Sequence, residues 1–179
     1  MGRRLTPQQA ADVITIQQLA YRYSISADAK DPETMASLFA ERADTNGKLI
    51  TRVQLRERFT RSFARNAQSI LNVGNHLIEF DADDANRASG TVYARCECEF
   101  ESEWLIQQIV YFDRYICEDD SWHFWSRRHL LFYGASLGQS PLGLPATDAA
   151  ELTRGKGSMP QAWETYRKFF EQFPDQPHY

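Results

Sequence analysis

The run Tyr111–Arg128, YFDRYICEDDSWHFWSRR, places an acid where acids are uncommon. Tyr111 and Asp113 lie two apart in an alternating stretch, so they share one face of a strand. After an acidic turn at Glu118–Ser121, Trp122, Phe124 and Ser126 alternate with His123, Trp125 and Arg127. A carboxylate on an aromatic wall is a candidate proton carrier, because burial disfavours its charged form and moves its pKa toward neutrality. Tyr111 beside it can donate a hydrogen bond to a developing oxyanion. Tyr23, Trp122, Phe124 and Trp125 add an aromatic surface that suits a flat ligand. Each residue has a plainer reading. Asp113 can pair with Arg95 or Arg127 or serve an interface, and Tyr111 can be a core residue whose hydroxyl reaches the surface.

Histidine is the usual proton carrier near neutral pH. In regular strands, parity turns His76 away from the side of Asn75, and puts His123 and His129 opposite Trp122 and Phe124. A bulge would reverse any of these assignments. His178 lies in the tail.

Composition narrows the function classes. The chain has 179 residues, 42% hydrophobic and 13% aromatic, enough for one domain with a substantial core. A net charge of −4 offers nothing to nucleic acid or to an anionic membrane surface. No apolar run approaches the roughly 18 residues of a membrane span, and the N-terminus lacks the apolar segment of a signal peptide. Three cysteines (Cys96, Cys98 and Cys117) form no disulfide framework and no zinc-ligand pattern. These features point to the cytoplasm.

The elements that must position the candidates can be read from periodicity. Pro7–Asp28 reads as a helix with Thr6 as N-cap, and Asp31-Pro32 starts a second, Pro32–Ala40. Asp44–Gly47 is a turn and Thr51–Arg65 a third, amphipathic helix. The period then changes to two. Ser69–Phe80, Ala88–Glu103, Trp104–Cys117 and Trp122–Tyr133 are strands, the second with Val92, Ala94, Cys96, Cys98 and Phe100 on one face and a row of glutamates on the other. Gly134–Gly157 reads as irregular, and Met159–Phe173 as a last helix that caps a cavity or packs on a partner. Helices followed by antiparallel strands make an α+β fold.

Three segments, YSISADAKD (Tyr23–Asp31), LNVGNHLIEFDADDANRASGTVY and VYFDRYICEDDSWHFWSRR, resemble in order and spacing the SnoaL-like group of the nuclear-transport-factor-2-like superfamily. The resemblance covers roughly residues 8–133. It implies a cone-shaped α+β barrel: N-terminal helices packed in a strongly curved antiparallel sheet around one deep apolar pocket. It also implies scytalone dehydratase-like chemistry that needs no metal and no organic cofactor. Asp28 falls on that group's pocket aspartate and Asn75 on its strand asparagine. Tyr111 falls on a pocket asparagine, Leu71 and Cys98 on two catalytic histidines, and Ala27 and Gly47 on two tyrosines. The scytalone proton path is therefore not kept.

The resulting expectation is a cofactor-independent lyase acting on a small hydroxylated aromatic compound, by dehydration or retro-aldol cleavage. Asp28, Asp113 and Tyr111 would be catalytic, with Tyr23, Asn75, Cys98, Trp122, Phe124 and Arg127 contacting substrate. For Arg127 the alternative is a structural role, and for Asp28 a helix-end role. An isomerase or epoxide hydrolase of the same fold, or a non-catalytic binding or assembly subunit, are the alternative functions. The outer sheet face, with its row Glu97, Glu99, Glu101 and Glu103, would be solvated or would make a homodimer or homotrimer.

Overall fold

A computed structural model describes residues 4–66, 68–147 and 153–172. Helix α1, Pro7–Asp28, starts with a reciprocal capping box between Thr6 and Gln9. Helix α2, Pro32–Ser37, is capped by Asp31 and ends before the expected Ala40. There Leu38–Ala40 leaves the helix to bond the backbone of Phe124. The expected turn at Asp44–Gly47 is the tip of a hairpin, β1 (Arg42–Thr45) and β2 (Lys48–Thr51). Asn46 and Gly47 both take positive φ, 56° and 83°, as a tight two-residue hairpin turn requires. Helix α3, Arg52–Phe63, begins at a second capping box, Thr51 with Gln54.

The sheet is β3 (Ser69–Phe80), β4 (Arg87–Phe100), β5 (Glu103–Glu118) and β6 (Ser121–Ser136), closed by a two-residue β7 (Gly155–Lys156), in that order and antiparallel throughout. It is the α+β cone, with the helices on the concave side. The register breaks three times. Gly74 and Asn75 face the single residue Tyr93, and Trp125 and Phe132 are extra residues on β6. Each break adds a residue to one strand, which reverses the parity of every later residue in that strand.

The largest packed core joins Ile16, Leu19, Phe39, Tyr115, Trp122 and Phe124. A second, smaller core lies outside the sheet, where Trp163 and Met159 cover Tyr93, Val110, Leu130 and Phe132. This explains why the last helix is shorter than expected. Gly157 and Met159 donate backbone hydrogen bonds to Phe132 and Leu131 of β6, so this stretch is held alongside a strand and helix α4 spans only Glu164–Phe170. The expected end at Phe173, like His178, lies outside the described residues. Part of the outer face expected to meet another copy is thus covered by the chain itself. No described helix is long and apolar enough to cross a membrane.

Candidate active site on the inner wall of the cone

Register assigns the inner wall row by row, since directly paired residues share a face. His76, Val92, Tyr111 and His129 form one row across β3 to β6, and Ile78, Gly90, Asp113 and Arg127 form the next. The bulge at Gly74–Asn75 turns His76 inward and leaves Asn75 exposed. Asn75 therefore does not line the wall as expected. The bulge at Trp125 does the same on β6. It brings Arg127 and His129 to the side of Trp122 and Phe124, and leaves Trp125 outside under Arg87. His123 stays on the other face, as parity requires.

Asp113 is 2% exposed and its side chain is fully enclosed. Arg127 grips it with two parallel bonds, Nε to Oδ1 at 2.9 Å and Nη2 to Oδ2 at 2.7 Å. Such a bidentate, charge-assisted pair fixes both planes. The guanidinium is also stacked among three rings, 4.4 Å from the centroid of Tyr23 and 4.3 Å from those of Tyr111 and Phe124. Burial opposes the charge on Arg127, but Asp113 outweighs it and holds the group protonated above its ordinary range. Tyr115 donates to Asp113 Oδ2 at 2.9 Å, and His76 Nε2 meets the Tyr115 hydroxyl at 2.9 Å. Gly90 makes this possible: a Cβ there would lie 2.7 Å from the Tyr115 hydroxyl and 3.2 Å from His76 Nε2.

Beside this nest, His129 faces the ring of Tyr111 with centroids 5.6 Å apart. Burial, with Arg127 adding to it, pushes the His129 pKa down to about 4. Burial also lowers that of His76, with Asp113 opposing. Both rings are therefore neutral at pH 7. Burial raises the phenols of Tyr111 and Tyr23, the latter against the pull of Arg127. Neither ring nitrogen of His129 nor the Tyr111 hydroxyl has a hydrogen-bond partner among the described residues. Tyr23, Val73, Cys96 and His129 point inward yet are only half-buried. The cone thus admits solvent at this level.

Asp28 sits about three rows from Asp113, roughly 20 Å along the strands. Its two oxygens accept the Leu71 backbone N–H, each at 3.0 Å, and Oδ1 also accepts the Ser69 hydroxyl at 3.2 Å. Lys30 bonds Ser69 and Asn66 next to it. Cys98 is buried at this end with Cys96, whose thiol donates to it and, with Lys30 and Arg154, lowers its pKa. Of the expected site residues, Tyr23, Tyr111, Asp113, Phe124 and Arg127 come together. Asp28 and Cys98 form a separate group, and Trp122 is packed against Phe80 in the core with Ile16 and Leu19. Tyr115 and Gly90 were not among the expected residues, and His76 and His129 reach the wall only through the bulges that would reverse their parity. Gly74, a glycine inside an apolar strand, was the available signal for the first bulge. No cluster of three or more metal-binding side chains occurs among the described residues.

A family profile described as a SnoaL-like domain matches residues 8–128. No curated protein matches the sequence. Among solved structures, a putative scytalone dehydratase from Novosphingobium aromaticivorans is 18% identical with a TM-score of 0.63, over 76% of this chain and 99% of that one. A hexachlorocyclohexane dehydrochlorinase from Novosphingobium barchaimii is 19% identical, TM-score 0.62, over 74% and 94%. A Mycobacterium tuberculosis protein of unknown function is 24% identical, TM-score 0.59, over 69% and 77%. At these identities the likeness is one of fold.

Proposed function

We infer that this chain, which belongs to the SnoaL-like domain family, is a cofactor-independent lyase that takes a proton from a small hydroxylated aromatic compound held in the cone. The observation that carries this reading is His129: a neutral, inward-facing imidazole with no hydrogen-bond partner among the described residues, set against Tyr111 and next to the fixed cation Arg127. A neutral imidazole is the form that accepts a proton. As the proton leaves, negative charge grows on the substrate. The Arg127 guanidinium, already desolvated and oriented, stabilises that charge with little reorganisation. The Tyr111 hydroxyl is a second donor. Tyr23, Tyr111 and Phe124 give a flat ring its apolar contacts.

The roles differ from those expected of the two carboxylates. Asp113 is occupied by Arg127 and Tyr115, which makes it a positioning residue. Asp28 binds backbone. Two of the neighbouring structures carry names, dehydratase and dehydrochlorinase, that denote eliminations, which supports the reaction class. Loss of water, or of an aldehyde by retro-aldol cleavage, both begin with the proton transfer described.

The test is mass spectrometry of products after incubating the purified chain with a panel of hydroxylated monoaryl and diaryl compounds. The expected product has lost water or formaldehyde, and His129→Gln abolishes it while leaving the fold intact. Binding without any product would leave a ligand carrier. The occupied oxygens of Asp28 are the observation that favours that second reading.

A further inference from the structure

We infer that His76 is a second acid–base group of the cone, fixed as its Nε2–H tautomer so that Nδ1 stands on the inner wall as a bare lone pair for a ligand hydroxyl. This deepens the lyase reading above and rests on it.

The tautomer is settled by counting protons along the buried chain Arg127–Asp113–Tyr115–His76. Arg127 only donates and Asp113 only accepts. The Tyr115 hydroxyl has one hydrogen and two neighbours, Asp113 Oδ2 at 2.9 Å and His76 Nε2 at 2.9 Å. If that hydrogen went to His76, two oxygens would face each other at 2.9 Å with no hydrogen between them, one of them part of a carboxylate. A charge-assisted bond to a buried carboxylate is worth roughly 1.5–3 kcal/mol against about 1 for a neutral one, so the hydrogen belongs to Asp113. Nε2 must then supply the hydrogen between His76 and Tyr115. Nδ1 is left unprotonated, and it is a buried atom with no partner among the described residues. A buried acceptor without a donor is a group awaiting one.

Register says where that acceptor sits. His76 and His129 occupy the two ends of one inner row, with Val92 and Tyr111 between them. Three strand spacings separate them, about 14 Å along the sheet, and both lie on its inner face. A ligand lying over Tyr111 meets Arg127 and His129 at one end and Nδ1 of His76 at the other. The substrate class is thereby narrowed to an aryl compound with two polar ends, an oxygen that develops charge at Arg127 and a hydroxyl donor at His76. When the hydroxyl proton passes to Nδ1, its oxygen keeps the bonding pair. The ring becomes an imidazolium whose Nε2–H stays on Tyr115, and Asp113 balances its charge through that hydroxyl. Carboxylate, phenol and imidazole here play the parts of orienter, linker and base. Gly90 is the position that admits this linkage, since a Cβ there would collide with the Tyr115 ring and crowd His76 Nε2.

The experiment is ¹⁵N NMR of the histidine rings in the full chain, with 4-hydroxybenzyl alcohol as the probe, alongside turnover measurements. The expected spectrum shows His76 protonated at Nε2 and bare at Nδ1 near pH 7. Tyr115→Phe mixes the tautomers, and saturating probe shifts the Nδ1 resonance upfield as it accepts a hydrogen bond. His76→Gln, whose amide can still donate to Tyr115, loses turnover about 100-fold with little change in probe affinity. A proton on Nδ1 in the free protein, an Nδ1 signal unmoved at saturation, or wild-type turnover in His76→Gln would each overturn the inference. If the wild-type chain converts no compound, the lyase reading fails separately.

Discussion

Two carboxylates were expected in the pocket of this cone, and they are held by opposite means. Asp28 is half-buried at the C-terminal end of α1 and binds main chain: both oxygens take the Leu71 N–H, and one takes the Ser69 hydroxyl. Asp113 is sealed and binds side chains, the Arg127 fork and the Tyr115 hydroxyl. The first arrangement ties a helix end to a strand. The second builds a charged platform under aromatic rings and passes its influence along a hydrogen-bonded chain to an imidazole. Residue type is the same in both cases. What separates them is whether the partners can pass the charge on.

Four measurements can break or sharpen that contrast. The largest effect is expected at the platform. Asp113→Ala leaves Arg127 buried and unpaired and should cost roughly 3–5 kcal/mol in denaturant unfolding, whereas Asp113→Leu combined with Arg127→Met should recover most of it. If the single and double variants are equally unstable, the pair is not acting as a unit.

Next is the pH dependence of stability. His129 titrates near 4 in the fold and near 6.5 when unfolded, so the unfolded chain binds the extra proton first as pH falls. Stability should be full above about pH 6.5 and decline toward pH 4, by about 3 kcal/mol from this group. His129→Leu should flatten that part of the curve; an unchanged slope would show that the ring is not buried neutral.

Gly90→Ala should come third, costing roughly 1–3 kcal/mol by overpacking. It should also release the His76–Tyr115 contact, visible as a change in the His76 ring shifts. The smallest change is expected at the other carboxylate. Asp28→Asn should lower stability by roughly 1 kcal/mol, because a charge-assisted bond to the Leu71 amide becomes a neutral one. It should reduce turnover far less than His129→Gln does. A turnover loss as large as that of His129→Gln would restore Asp28 as the base and demote the arginine platform.

Much of this architecture was legible in the chain. Pro7–Asp28 was bounded by Thr6, Pro7 and Asp31-Pro32, and Ser69–Phe80 by its alternation and the acidic turn after it. Local chemistry dictates those ends. The common face of Tyr111 and Asp113 was also legible, because nothing interrupts the period of β5 between them. The inward orientation of His76, Arg127 and His129 was not, because it is set by strand pairing. A bulge is defined by what the neighbouring strand does, and Tyr93 opposite Gly74–Asn75 is nearly twenty residues away in sequence. The same limit hid the Asp113–Tyr115–His76 link, which joins residues 39 apart at its His76–Tyr115 step. Asn75 and His76 are sequence neighbours, and the wrong one of the two was assigned to the wall for this reason.

The extra residue at Gly74–Asn75 is one that the inner row can lose. Removing the codon for Asn75 would straighten the strand there and leave His76 two positions after Val73, on the same face and still opposite Val92. A change in chain length of a single unit is thus absorbed at the bulge, whereas the same loss between His76 and Phe80 would reverse the face of every residue after it and swap greasy groups for polar ones along the wall.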